Sequence, residues 1–342
     1  MQLKPFRIER YYAQHEFSTR YMLSSSDCQS RTIAELLAFE PDAERRLHET
    51  WCGYTESSGS AELREAIAAL YERAGADDVI VCSCAEEGIF LLYHALLAAG
   101  DHAIVETPCY ESALELARST GAAVSEWRRT FAGAWAHDLD ALRAALSPAT
   151  RVLYVNQPHN PTGTLMERAT FEAVAELAAC DLLPAGVSLG SISKSYGLPG
   201  LRLGWLVTRD RGLRQRLLAL KDYTTICSSA PSEVLTALGL RHRERLLQRN
   251  LELVARNLAL VERFFGRHAD SFQWVRPTAS PIGFPRVTGL GDVDALCVRL
   301  AGAGVLLLPG SVYDVPDHVR VGFGRGNLPE ALDLLETALT AA

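Results

Sequence analysis

Of the 34 basic residues in this chain of 342, only three are lysines: Lys4, Lys194 and Lys221. Arginine stays protonated and cannot act as an amine nucleophile, so any chemistry built on a primary amine has three candidates. Lys194 lies in GSISKSYGLPGLRLGW (190–205), among small residues and glycines and between two apolar strands. That setting is expected to desolvate its ammonium, lower its pKa and leave a neutral amine able to condense with an aldehyde. Ser191, three residues before it, and Arg202, eight after it, can bind a phosphate beside such a centre. A lone loop lysine is more often a surface residue. Here the apolar, glycine-rich flanks outweigh that reading, whereas Lys4 sits in a terminal arm and Lys221 on an amphipathic helix. Two accidental matches fail. The phosphate-loop pattern has Ser193 where its glycine belongs. The S-x-x-K of Ser191–Lys194 has no later K-T-G. A second segment, NQPHNPTG (156–163), ends an apolar strand and turns into a helix. Its prolines and glycine aim Asn160 at the strand terminus, where the amide can donate to a ligand oxygen. Alone, N-P-T-G is as readily a turn with a helix cap.

These segments need a scaffold, and the chain has the length for a large domain plus a smaller one. It is 48% hydrophobic and 22% charged, ordinary for a globular protein. Its net charge of −7 provides no footprint for nucleic acid or an anionic membrane. Eight scattered cysteines read as reduced thiols, and the Cys82-x-Cys84 pair lacks the spacing of a metal or redox motif. No stretch approaches the ~18 apolar residues of a membrane span, so a soluble, cytoplasmic protein without a metal is expected. Strands and helices alternate from residue 60 onward: SGSAELREAIAALYERAG helix, DVIVCS strand, EEGIFLLYHALLAAG helix, HAIVETP strand, YESALELARSTG helix, AAVSEWRR strand, HDLDALRAALS helix and TRVLYVNQP strand. Continuous apolar strands in this rhythm indicate an α/β fold with a mostly parallel sheet covered on both faces. Ligands in such sheets sit at the carboxyl ends of strands, where CSCAEEG, ETPCYES and NQPHNPTG all fall. The expected organisation is an arm over 1–45 joining the small domain, a large domain over 46–250 and a small α+β domain over 251–342. The arm is read as polar, with TIAELLAFE as its one helix.

With both segments in view the chain resembles the fold type I, class I/II aminotransferases that use pyridoxal 5′-phosphate (PLP). N-x-P-x-N-P-T-G followed by S-x-S-K-x-x-G-x-x-G-x-R-x-G is a specific pair, and the resemblance covers nearly the whole chain. It implies an enzyme that moves an amino group between an amino acid and a 2-keto acid by a ping-pong Schiff-base mechanism. Lys194 would be the Schiff-base lysine and proton carrier. Asn160 would bond the cofactor's 3-hydroxyl oxygen, and Ser191 and Arg202 would hold its phosphate. In VCSCAEEGIFLL the amides of Ala85 and Glu86 would cradle the phosphate, with Cys84 where the family usually has glycine. Tyr110 of ETPCYES matches the residue stacked on the pyridine ring. Tyr54 of WCGYTESSGSAELREAI matches the tyrosine that reaches the neighbouring subunit's phosphate, which implies a homodimer. Arg320 of HVRVGFG matches the arginine that grips the substrate α-carboxylate.

One departure stands out. The family carries, between the turn and the lysine, a central strand ending in D-E-x-Y, whose aspartate pairs with the pyridinium nitrogen. Here Asn160 and Lys194 are 34 residues apart and no D-E-x-Y lies between them. The chain reads as if a few tens of residues were cut near Leu183–Pro184, and Asp181 is the acid left nearby. Loss of that carboxylate would weaken the electron sink. One alternative is a PLP lyase or cyclase acting on an amino acid, since PLP chemistry diverges after the carbanion; another is a non-catalytic relative that lost its electron sink with the missing segment.

Overall fold

The computed structural model describes residues 3–179 and 186–340, in two compact units. Residues 30–98 and 186–250 form a lysine unit, which holds Lys194 and Lys221; residues 3–29, 99–179 and 251–340 form an arginine unit, which holds Arg320. Six strands frame the segments singled out above: β1 (Val79–Cys82), β2 (His102–Thr107), β3 (Ala123–Arg128), β4 (Thr150–Tyr154), β5 (Ser188–Ser191) and β6 (Gly204–Val207).

In the lysine unit the strand order is β1-β6-β5, with β6 antiparallel to both neighbours. Successive strand residues face opposite sides. Val79 and Val81 therefore pack with Leu63, Ile67, Leu235 and Leu238, while Ile80 and Cys82 pack with Leu91, Leu213 and Leu217. Both faces are covered, which is why the strand reads as an unbroken apolar run. Each such side chain stabilises the fold by about 1.5–3 kcal/mol.

In the arginine unit β3, β2 and β4 form a parallel sheet with β2 in the middle. A second, antiparallel sheet joins Leu308–Pro309, Val319–Gly322 and Ile282–Gly283. It lies in a core that includes Phe264, Phe265, Leu296, Leu300, Leu307 and Phe323. The N-terminal arm belongs to this unit: Tyr21 bridges Val305, and Leu23 is buried in the same core. The arm also forms a helix that the sequence reading leaves out, α1 (Arg7–His15). Ile8 anchors it against Trp135, Phe284, Leu308, Val312 and Tyr313.

The units are drawn differently from the expected domains of 1–45 with 251–342 and of 46–250, because 99–179 groups with the arm and the C-terminal segment. The reason lies in the pairing: β2–β4 bond among themselves, as do β1, β5 and β6, and no described strand covers the open side of β4 or β5. Asp181 and the Leu183–Pro184 junction lie outside the described residues. A second unanticipated helix spans Ala230–Arg241. Among the described residues, no helix is long and apolar enough to cross a membrane.

Candidate functional site

In the lysine unit the register aligns Cys82, Gly204 and Ser191 in one row at one end of the sheet. From Cys82 the chain runs through Cys84 into the Ala85–Leu96 helix; from Ser191 it leads to Lys194; and Arg202 precedes Gly204. A Cβ at Gly204 would stand 2.6 Å from the Ala85 nitrogen and 2.7 Å from the Cys84 carbonyl carbon, so glycine alone lets the helix start rest on β6. Cys84 takes φ 126° and ψ 170°. Essentially only glycine adopts this region, so the turn keeps the geometry of the expected glycine at a cost in strain. The Ser191 hydroxyl donates to Ser193 Oγ at 2.8 Å and receives the Ser193 N–H at 3.0 Å. Arg202, exposed and in the left-handed region, donates to the Pro199 carbonyl at 3.1 Å. The sequence-expected phosphate and lysine positions thus share one end of one sheet.

One expectation about the lysines is corrected. Lys194 is exposed, because it stands in the turn beyond β5, where Gly197 N–H donates to its carbonyl at 3.2 Å. The strands on either side do not desolvate it within its own unit. Lys221 stands on the Arg211–Lys221 helix, as expected, and is fully buried there, with Nζ donating to the Ile226 carbonyl at 3.0 Å. Tyr54 is 82% exposed, while Thr55 beside it is tied to Glu233 at 3.1 Å.

The arginine unit brings together Asn160 and Arg320. Asn160 Oδ1 accepts from Arg320 Nη1 and from the Tyr313 hydroxyl, each at 3.1 Å. All five N–H donors of Arg320 are engaged: Nη1 with Asn160 and with Tyr313 Oη at 2.6 Å, Nη2 with Tyr12 Oη at 2.6 Å and the Ser24 carbonyl at 2.8 Å, and Nε with the same carbonyl at 3.1 Å. Burial alone would lower the Arg320 pKa, but the Tyr12 and Tyr313 oxygens outweigh it and keep the guanidinium charged. Burial pushes the Tyr313 phenol well up, so its hydroxyl remains a donor. Tyr110 donates to the Glu9 carboxylate of α1, and its ring lies 4.8 Å from that of Phe6. Tyr12, Tyr313, Ser24 and Glu9 escape the sequence reading. The signal that could have found α1 is the spacing of Ile8, Tyr11, Tyr12 and His15 after Pro5.

The 156–163 turn is fixed by a buried carboxylate at the end of β2. Glu106 accepts from Asn156 N–H at 2.8 Å, Gln157 Nε2 at 3.1 Å, Arg129 Nη1 at 2.9 Å and His137 Nε2 at 2.8 Å. Burial raises its pKa, but the His137 hydrogen bond, the Arg129 charge and the Asn156 N–H more than reverse that, so it is held ionised. His159, fully buried with Nε2 4.0 Å from Glu106, is lowered to about 4 by burial and is neutral. Gly163, at φ 71°, closes the turn; a Cβ there would lie 2.0 Å from the Ile282 carbonyl oxygen.

The model of the class I and II aminotransferases matches residues 21–185 and 180–335. The chain belongs to that family. Its break at 180–185 coincides with the place where D-E-x-Y is missing from the sequence. Capreomycidine synthase of Streptomyces vinaceus is 31% identical, over 92% of this chain and 88% of the relative. An aspartate/prephenate aminotransferase of Thermus thermophilus is 25% identical, over 91% and 92%. Among solved structures, a PLP-dependent aminotransferase from Streptococcus suis 89-1591 superposes with TM-score 0.94 at 26% identity, covering 100% of this chain and 99% of that one. The PLP-dependent cyclase OrfR gives TM-score 0.90 at 27% identity, covering 100% and 98%.

The family's cofactor is PLP and its fold is the PLP-dependent fold type I. Each unit, taken by itself, has residues whose chemistry fits one part of the group. At the phosphate end, the approach that a Cβ at Gly204 would block sets the start of the Ala85–Leu96 helix beside the row that holds Ser191. In the arginine unit, Asn160 and Arg320 form a charged, hydrogen-bonded couple. For the pyridinium nitrogen the sequence lacks the D-E-x-Y carboxylate.

Proposed function

We propose that this aminotransferase-family protein is a PLP enzyme that takes the α-proton from an amino acid and carries the product to ring closure or elimination. The observation that carries the Cα chemistry is the buried Arg320–Asn160 couple, a fixed positive charge for an α-carboxylate joined to an amide for the cofactor's hydroxyl oxygen. The branch is supported by the likeness to capreomycidine synthase and to the cyclase OrfR.

When bound, PLP supplies an aldehyde that captures amines and a conjugated ring that takes up carbanion charge. The Ala85 and Glu86 amides, Ser191 and Arg202 would hold its phosphate, aided by the helix dipole. Lys194, exposed at the same end of the sheet, is the amine that would hold the aldehyde and would carry the proton at Cα. Asn160 Oδ1 is spent on Arg320 and Tyr313, so its Nδ2 is the atom that donates to the 3-hydroxyl oxygen. Tyr110 would lie against its ring. A substrate α-carboxylate would reach Arg320 by displacing the Tyr12 or Tyr313 oxygen; each hydroxyl already donates, Tyr12 to the Ser24 carbonyl and Tyr313 to Asn160 Oδ1, and would turn that proton to the carboxylate. The active unit is a homodimer, with the exposed Tyr54 reaching the phosphate held by the second copy.

Transamination, the first expectation from the sequence, is the second reading, favoured by the likeness to the Streptococcus suis aminotransferase. Product analysis of the PLP-loaded protein with and without a 2-keto acid separates them. Ring closure or elimination proceeds without the acceptor. Turnover that depends absolutely on the keto acid would overturn the cyclase/lyase reading in favour of transamination.

A further inference from the structure

Glu233 is buried on the Ala230–Arg241 helix of the lysine unit, and among the described residues no cation pairs with it. A buried acid of this kind is costly to fold unless its oxygens find other partners. Both do so on one loop. Oε1 meets the Thr55 hydroxyl at 3.1 Å, and Oε2 accepts the Ser60 N–H at 2.8 Å. Between those two points the backbone is fixed again. Val81 N–H donates to the Ser58 carbonyl at 3.0 Å, and Gly59, at φ 94°, lies so close to β1 that a Cβ would stand 2.3 Å from a Val81 methyl. The residues just before this clamp point outward: Trp51 is 78% exposed and Tyr54 82%. The Thr55 hydroxyl also lies 3.2 Å from the Ser228 carbonyl, which ties in the loop where Tyr223 and Ile226 are exposed. Large apolar side chains gathered on two mutually bonded loops mark a surface that another chain covers.

We propose that Glu233 is a positioning residue that acts across the dimer: it holds the Thr55–Ser60 loop of one copy so that Tyr54 stands ready for the phosphate held by the second copy. This rests on the reading of Tyr54 and the homodimer given above. Tyr54 directly precedes the clamped Thr55, so its backbone cannot shift without breaking the contact to Glu233. Only its side-chain torsions are left to settle when the second copy docks. A donor fixed in advance loses less freedom on binding, and its bond to a phosphate is of the strong, charge-assisted kind. Without the clamp the loop must be ordered by the second copy, and the phosphate there is held less well. Ser191 and Arg202 of the same chain are untouched by the change.

The quantity to measure is the rate of PLP release from the loaded protein, followed on dilution as loss of absorbance above 400 nm. Tyr54→Phe removes a bond to a charged group and is expected to speed release by about tenfold. Glu233→Ala is expected to speed it by about threefold or more, and Glu233→Gln, which can still accept from Ser60 and meet Thr55, to stay near the wild-type rate. Glu233→Ala added to Tyr54→Phe should bring no further loss, because both act through one hydroxyl. Thr55→Val opens the clamp from its other side and replaces Glu233→Ala if that variant fails to fold. Separately tagged mixed dimers decide where the effect acts. With Lys194→Ala in one copy, only the other contributes the visible band. Glu233→Ala placed on the Lys194→Ala copy is expected to speed release from the coloured copy, and the same change on the coloured copy to leave it unaltered. Faster release only in the second arrangement, no change in either, or additive losses with Tyr54→Phe would overturn the inference alone. A monomer in solution, or unaltered release in Tyr54→Phe, would overturn the reading of Tyr54 as well.

Discussion

A neutral imidazole and an ionised carboxylate share one buried site, and their pKa shifts act in the same direction on stability. His159 is lowered to about 4, against about 6.5 in an unfolded chain. Below pH 6.5 the unfolded state therefore binds the extra proton, and stability falls with pH until about 4. Glu106 is lowered too, so its contribution is present above the unfolded carboxylate range and is lost as pH falls through the folded value. For His159 alone the loss is on the order of 3 kcal/mol. Urea denaturation at pH 7 and pH 4.5 is expected to show this fall, and His159→Gln to flatten it; an unchanged slope in the variant would place the loss elsewhere. At this scale the placement of Lys194, Asn160, Ser191 and Arg202 beyond or beside strand ends was legible from motif spacing, whereas Arg320 lies within the Val319–Gly322 strand. The exposure of Lys194 and the burial of Lys221 were not, because both depend on how turns pack after the strand and helix end.

The start of the Ala85–Leu96 helix carries strain that a sequence could only flag. Cys84 stands where the resemblance leads one to expect glycine, and it adopts the glycine conformation. Such a residue costs about 1–3 kcal/mol, so Cys84→Gly is expected to stabilise the protein by about 1 kcal/mol or more, seen as a higher thermal midpoint. A lower midpoint would mean that the thiol contributes packing that outweighs the backbone strain. The apolar strands were legible as continuous runs, since helices cover both faces of β1. The Ala230–Arg241 helix was not, because Leu235, Ala237, Leu238, Gly239 and Leu240 are all buried and leave no amphipathic period to read. Helix α1 was missed for a different reason. It is nine residues long, largely polar, and anchored by Ile8 and by long-range pairs such as Arg7–Glu111.

The whole chain combines an intact set of family motifs with one gap. The family model matches in two pieces that meet at 180–185, and β4 and β5 each keep an open side among the described residues. The α/β class and the PLP family were readable because the strand-end motifs survive on both sides of the gap. The two-unit division was not, because it follows from which strands pair, a long-range property that alternating apolar runs do not encode. The central claim is that one lysine of three does the chemistry. Its most direct test is borohydride reduction of the PLP-loaded protein, followed by intact mass and peptide mapping. The expected result is one reduced pyridoxyl adduct per chain, on Lys194, abolished in Lys194→Ala together with the absorbance above 400 nm. An adduct on the buried Lys221 or on Lys4, or none at all, would contradict the account.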